Sequence, residues 1–173
     1  IGTILGHEGV GYVEEIGSNV SNFKKGDKVI ISCITSCGNC VYCKKNIQSH
    51  CNNGGWILGH NINGTQAEFV RIPYANYSLI HAPKQINNES LLMLSDILPT
   101  GNEVGAICSN IQKGDVVAII GCGPVGIAAL LASKTFHPRA IIMVDMDDER
   151  LKIAKEIFGA THSINPNELK KKN

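Results

Sequence analysis

The chain of 173 residues has no apolar run longer than the six residues Ile127 to Ala132, whereas a membrane-spanning helix needs roughly 20. No membrane span is therefore expected. It also has no excess of charge of either sign: 16 Lys and Arg stand against 15 Asp and Glu, and aromatic residues are only 5% of the chain. A basic, aromatic-lined face for nucleic acid is not expected from such a balance, and Lys170-Lys171-Lys172 reads as a solvated tail. An initiating Met is missing too, the chain opening on Ile1-Gly2-Thr3 and closing soon after a strand-like start, so a piece of a longer protein is expected. Hydrophobic residues are not lacking. At 43% hydrophobic and 18% charged, the composition is that of a globular chain and not of a disordered one.

The first ninety residues read as short strands between turns, with β-rich segments at Val10 to Ile16, Lys28 to Ser32, Ala67 to Ile72 and Leu79 to Ala82, punctuated by Gly17, Gly26-Asp27 and Pro73. From Asn88 the spacing of Leu91, Leu92, Leu94, Ile97 and Leu98 becomes helical, with Pro99 as a kink or interruption. A buried strand (Val116 to Ile120), a glycine-rich turn (Gly121 to Gly126), a helix (Ile127 to Phe136), a second buried strand (Ile141 to Val144) and a helix (Asp147 to Phe158) stopped by Gly159 then follow. Apolar strands alternating with helices imply a parallel sheet of βαβ units. The composition shift puts a boundary at 90, giving a β-rich region 1–90 and an α/β region 91–173.

Seven cysteines are an odd count, and four of them fall within fifteen residues, which does not resemble the disulfide framework of a small secreted domain. Cys37, Cys40, Cys43 and Cys51 are spaced C-x2-C-x2-C-x7-C. Thiols three apart on a turning backbone converge on one ion, and the longer return brings a fourth, which is the composition of a structural four-cysteine zinc site in a reducing compartment such as the cytoplasm. Lys44 and Lys45 stand beside the third thiol to offset the charge of four thiolates. Two disulfides or unrelated buried thiols are the alternative. Cys33, Cys108 and Cys122 read as packing residues on a strand, a helix and a turn.

Gly121-Cys122-Gly123-Pro124-Val125-Gly126 is a G-x-G-x-x-G placed after a strand and opening a helix. Gly121 serves the tight turn, Gly123 a close approach to a pyrophosphate, Gly126 helix-on-strand packing, and Pro124 with Val125 begins the helix whose N–H groups would face the phosphates. Asp145 ends the next strand, 19 residues past Gly126, where a carboxylate meets the ribose hydroxyls and repels a 2′-phosphate. That favours NAD over NADP. Asp147, Asp148 and Glu149 are first-turn helix charges.

Gly6-His7-Glu8-Gly9-Val10-Gly11, with Gly17 and Val20 behind it, resembles the zinc signature of the medium-chain, zinc-dependent alcohol dehydrogenase family, and the four cysteines resemble that family's structural zinc lobe (37–51). The resemblance runs along essentially the whole chain. It implies a GroES-like, β-rich catalytic domain, partial here, followed by the first half of a Rossmann doubly wound sheet. It makes His7 a catalytic-zinc ligand, with Glu8 beside it, and Asp96 in Met93-Leu94-Ser95-Asp96-Ile97-Leu98-Pro99-Thr100-Gly101 the third ligand. Taken alone, Asp96 reads as a helix-interior or capping carboxylate. Thr100 would pack near the nicotinamide. The family's first ligand, a Cys upstream of the Gly-His-Glu motif, lies outside the sequence, so only His7, Asp96 and Glu8 are expected to face the catalytic ion.

The implied activity is hydride transfer between a small alcohol, or its aldehyde or ketone, and NAD, with zinc as Lewis acid, in a full-length protein expected to be a homo-oligomer. The chain by itself is expected to be inactive. Formaldehyde, threonine and polyol dehydrogenases of the same family remain open, as does a zinc- and nucleotide-binding remnant without turnover. Trp56, the only tryptophan, reads equally as a wall of a substrate pocket or as packing.

Overall fold

The structure is a computed structural model that describes residues 2–169; the Lys170-Lys171-Lys172 tail lies outside them. Two compact units divide the chain, one running to Asp96 and the other starting at Ile97. The division falls six residues beyond the composition shift at 90, because the first helix after that shift belongs to the β-rich unit.

In the first unit, β1 (Gly9–Tyr12) and β2 (Lys28–Ile31) pair antiparallel, with Gly9 opposite Ile31 and Tyr12 opposite Lys28. After the short α1 (Val41–Lys44) and α2 (Ala75–Ser78), β3 (Leu79–His81) pairs with the other edge of β2. The middle strand is the buried one: Val29, Ile30 and Ile31 are all enclosed, as expected for a strand with neighbours on both edges. A Cβ on Gly9, where β1 lies beside β2, would stand 2.9 Å from Ile31 Cδ1, so the end of that side chain would have to shift. Next comes α3 (Asn88–Leu92), capped by the Asn87 side chain accepting from Ser90 N–H. It seals the unit with Leu91, which is fully buried.

Two expected strand segments are not strands. Glu14–Ile16 and Ala67–Ile72 have no ladder partner among the described residues, whereas Val13 still exchanges backbone bonds with Gly26 and Asp27. They face one another across an open cleft of about 820 Å³ that also takes in Gly9, Val29 and Ile31. A strand exists only where a neighbour takes up its backbone N–H and C=O groups.

In the second unit, α4 (Ile97–Thr100) leads into a π-helical stretch, Gly101–Ile107. The parallel sheet has the order β4 (Val116–Ile120), β5 (Ala140–Val144), β6 (His162–Ile164). The intervening helices are α5 (Pro124–Lys134) and α6 (Asp148–Glu156). Leu130 of α5 and Leu151 and Ala154 of α6 pack on Ile141 and Met143, with Val117 and Ile119 at the margin. One face of the sheet thus carries the core, whereas Val116 and Ile120 of β4 are exposed. The π stretch lies against α5 so closely that a Cβ on Gly105 would stand 2.6 Å from that of Ala129. Pro99 falls inside α4 without ending the helical run. No helix among the described residues is long and apolar enough to cross a membrane.

Candidate functional site

The four cysteines expected to share an ion are brought together. Sγ atoms of Cys37, Cys40, Cys43 and Cys51 all lie within 4.8 Å of one another, and the Cys40–Cys51 separation is 4.0 Å. Four sulfurs about 2.3 Å from a tetrahedral zinc would be about 3.8 Å apart, so the cluster needs little movement to take the ion. No disulfide joins any of the seven cysteines. Around Cys37 the environment is already that of a thiolate: backbone N–H groups, first that of Asn39, and the Asn53 amide (Nδ2 to Sγ 3.4 Å) lower its pKa to about 6. Backbone donors, Cys43 N–H foremost, lower that of Cys40. Burial, with the neighbouring thiols, raises Cys43 to about 11.

The lobe is anchored by buried hydroxyls. Thr35 and Gly55 exchange backbone bonds (2.9 and 2.6 Å), Ser36 Oγ donates to Tyr77 O (3.1 Å), and Ser36 N–H donates to Ser78 Oγ (3.1 Å). The Tyr77 ring lies over Gly38, whose φ of +74° and lack of a side chain make room for it.

His7 and Asp96, 89 residues apart in sequence, also meet. His7 Nε2 donates to Asp96 Oδ2 at 2.8 Å, with side chains 31% and 22% exposed. The turn that carries His7 is fixed by glycines: Gly6 has φ +97°, and a Cβ on Gly64 would overlap the Gly6 carbonyl oxygen. Glu8 points the same motif inward, its Oε1 buried without a hydrogen-bond partner. The direct imidazole–carboxylate contact brings together two of the donor types that bind zinc. Trp56 stands edge-on to His7, with ring centroids 5.3 Å apart, and its ring centroid lies 4.9 Å from that of His60.

Two neighbours of this pair carry no motif. Ser95 Oγ accepts from Gly9 N–H (3.2 Å) and donates to Gly9 O (3.1 Å), and Ser95 O accepts from Cys33 N–H (3.1 Å). Cys33 is a correction: it lies in a bend beyond β2, not on the strand, and it is half-buried. Its thiol bonds to the Asp96 carboxylate, and burial, with Asp96 next, pushes it up to about 12. The signal that would have found Ser95 is its position immediately before a candidate ligand; Cys33 had none. Cys108 is a second correction, exposed in a turn where a packed helical position was expected. Cys122 is buried in the core of the second unit, as a packing residue should be.

In the second unit the glycine-rich turn has the expected form. Gly121 has φ +98°, and a Cβ on Gly126 would overlap its carbonyl oxygen. Pro124 opens α5 behind Gly123, and no side chain caps the helix N-terminus, leaving its N–H groups to a ligand. Val125 is exposed on that first turn. The Asp145 carboxylate accepts from Cys122 N–H at 2.6 Å and from Asp147 N–H at 3.0 Å, and these donors, Cys122 first, hold it below the usual carboxylate range. It is an ionised group pinned at the rim of the turn, which fits a dinucleotide ribose. Asp147 caps α6, accepting from Glu149 and Arg150 N–H, so it serves the helix. Thr100 closes α4.

Residues 1–84 match the model of the alcohol dehydrogenase GroES-like domain. Among curated proteins, zinc-type alcohol dehydrogenase B of Aspergillus flavus is 38% identical over 164 residues, covering 90% of this chain and 38% of the relative. A glutathione-independent formaldehyde dehydrogenase of Bacillus subtilis is 37% identical over 177 residues, covering 91% and 41%. Among solved structures, zinc dependent alcohol dehydrogenase 2 from Streptococcus pneumonia superposes with a TM-score of 0.91 at 53% identity, covering 98% of this chain and 48% of that one. The chain thus spans about half the length of the relatives it matches. Residues 1–84 thus carry an alcohol dehydrogenase GroES-like domain, and the chain along nearly its whole length is similar to zinc-type alcohol dehydrogenases.

Proposed function

We propose that this chain is the zinc-bearing and first nucleotide-binding part of an NAD-dependent alcohol dehydrogenase, an enzyme that passes hydride between a small alcohol and NAD. The observation that carries this is the 2.8 Å contact of His7 with Asp96, two metal-type donors brought together from distant segments. When bound, zinc supplies Lewis-acid polarisation of the alcohol oxygen and NAD the hydride acceptor. His7 and Asp96 hold and orient the ion, and Glu8 offers a further oxygen. Gly121, Gly123 and Gly126 let the backbone approach the pyrophosphate, the open end of α5 faces its charge, Asp145 takes the ribose hydroxyls, and Thr100 sits near the nicotinamide. The four-cysteine lobe holds a second zinc that shapes the fold and takes no part in the chemistry.

A small aldehyde such as formaldehyde is a second reading of the substrate, supported by the name of the Bacillus subtilis relative. The active protein is read as a cytoplasmic homo-oligomer, and the 173-residue chain alone as inactive. Calorimetric titration of the zinc-loaded chain with NAD and NADP, and NADH formation from a panel of primary and secondary alcohols by the longer protein that contains it, test this. Binding of NAD with turnover is expected. Binding without turnover on any alcohol with either cofactor would leave a zinc- and nucleotide-binding remnant, and no NAD binding would remove the nucleotide assignment.

A further inference from the structure

Asn53 and Gly54 stand side by side in the turn that follows Cys51, and each is there for its own reason. Asn53 aims its amide at the four-cysteine lobe, Nδ2 donating to Cys37 Sγ at 3.4 Å. Gly54 fits where nothing larger would, since a Cβ there would stand 2.4 Å from the Thr35 carbonyl oxygen. An amide donor for a thiolate and a glycine for a close approach together make an Asn-Gly pair, which has a chemistry of its own. With no Cβ on the following residue, the side-chain carbonyl carbon of asparagine is open to the next backbone nitrogen, and attack closes a five-membered ring. The chain has one other such pair, Asn63-Gly64. There the Gly64 N–H donates to Ile4 O at 2.8 Å and Asn63 Oδ1 accepts from Ile4 N–H at 3.1 Å, so nucleophile and electrophile are both engaged. The Gly54 N–H has only a long bond to Cys51 O, 3.3 Å.

We propose that Asn53 is a spontaneous modification site, whose conversion to aspartate or isoaspartate disarms the four-cysteine lobe. This rests on the reading of the four cysteines as a zinc site. In the first step the Gly54 nitrogen bonds to Asn53 Cγ, the Cγ–Nδ2 bond breaks, and ammonia leaves with the Gly54 amide proton. Water then opens the cyclic imide at either carbonyl, giving aspartate or isoaspartate, so that an amide and water have become a carboxylate and ammonium. The product reverses what Asn53 did for Cys37. A donor 3.4 Å from the sulfur becomes a negative charge, and like charges at that range oppose a site that gathers four thiolates. Isoaspartate goes further, because it lengthens the backbone by a methylene just before Gly55 exchanges its bonds with Thr35 at 2.9 and 2.6 Å. The step is also gated. To reach Gly54 the Asn53 side chain must leave Cys37, and an ion that fixes both Cys37 and Cys51 holds the turn shut. An empty lobe opens more often, so losing the ion starts a conversion that keeps it out.

The test follows the native chain, one portion stripped by a chelator and one loaded with zinc, through incubation just above neutral pH. Peptide mass spectrometry reads the amide-to-acid mass gain separately at Asn53 and at Asn63. The expected result is conversion of Asn53 ahead of Asn63 in the stripped chain, and at least about tenfold slower in the loaded chain, because only the opened turn reacts. Zinc affinity, measured by competition with a chromophoric chelator, should be about 10–100-fold lower in Asn53→Asp, the size of an outer-shell change. Asn53→Ala should lose less, since it gives up the donor without gaining a charge. No conversion at Asn53 in the stripped chain, or conversion that lags behind Asn63, overturns the proposal. So does an equal rate with and without zinc, or an Asn53→Asp chain that holds zinc as tightly as Asn53→Ala. The incubation needs no variant, so it decides even where Asn53→Asp fails to fold. A native chain that takes up no tight zinc instead removes the four-cysteine reading and the proposal with it.

Discussion

The four-cysteine lobe and the His7–Asp96 pair lie in one unit, yet they are built in opposite ways. The lobe draws four donors from fifteen residues, and its sulfurs already stand at nearly the spacing an ion demands. The pair draws its donors from positions 89 residues apart, and its two groups bond each other. Closeness in sequence lets local turns and backbone N–H groups prepare a site. A site assembled from distant segments depends instead on whatever clamps those segments, here Ser95. A zinc ion in the lobe would therefore contribute to stability.

The sharpest way to break this contrast is Cys43→Ser. Structural zinc in small peptides is worth about 10–16 kcal/mol over four ligands, so losing one should cost on the order of 3 kcal/mol. Metal analysis after chelator washing should show the tight equivalent gone and thermal unfolding should shift down. A variant that keeps its zinc tightly would mean the lobe is not a four-cysteine site.

Ser95→Ala attacks the other side. It removes both bonds to Gly9, and leaving partly buried backbone groups unpaired costs about 1–3 kcal/mol. Its distinguishing effect is on the second metal equivalent, which should weaken while the first is untouched. Equal weakening of both, measured by competition with a chelator, would show that the two sites are not independently built.

Asp145 extends the comparison to the nucleotide turn, another site prepared by local N–H donors. NAD should bind at least about tenfold more tightly than NADP, roughly 1.4 kcal/mol, because a 2′-phosphate meets an ionised carboxylate. Asp145→Ser should narrow that ratio in calorimetric titrations, and an unchanged ratio would reduce Asp145 to a brace for Cys122 and Asp147.

The smallest expected effect is in pH. Zinc uptake displaces protons from thiols, so affinity falls as pH falls. Between about 6 and 11 Cys37 is already ionised while Cys43 still carries its proton, so Cys43 contributes to proton release on binding and Cys37 does not. Below about 6 Cys37 contributes as well, and the pH dependence of zinc affinity should steepen by one proton. A pH-stat titration across that range measures it; a slope that stays constant would place Cys37 with the ordinary thiols.

What could be read in the sequence follows the same division. The cysteine spacing, the glycine turn with Asp145, and the βαβ order are short-range patterns whose geometry is set by neighbours in the chain, and the structure has them in place. The meeting of Asp96 with His7 was reachable only through resemblance, since nothing within ten residues of Asp96 points to it. Cys33 and Ser95 were invisible because their roles arise from partners some sixty and eighty residues away. Ala67–Ile72 shows the converse: its β-rich composition suits a strand, but pairing is a property of a neighbour, and no local pattern contains the neighbour. The π-helical stretch from Gly101 was unmarked for a similar reason, its glycines answering to Ala128 and Ala129 on another helix.

Ser95 also offers a clock. The Gly9 and Cys33 amides both end on this one residue, the first on its hydroxyl and the second on its carbonyl. Neither can exchange its hydrogen with solvent while the clamp is shut, so their deuterium uptake should share one opening rate. Because the clamp sits next to Asp96, that rate reports how often the three segments part, and filling the His7–Asp96 site should slow both amides together.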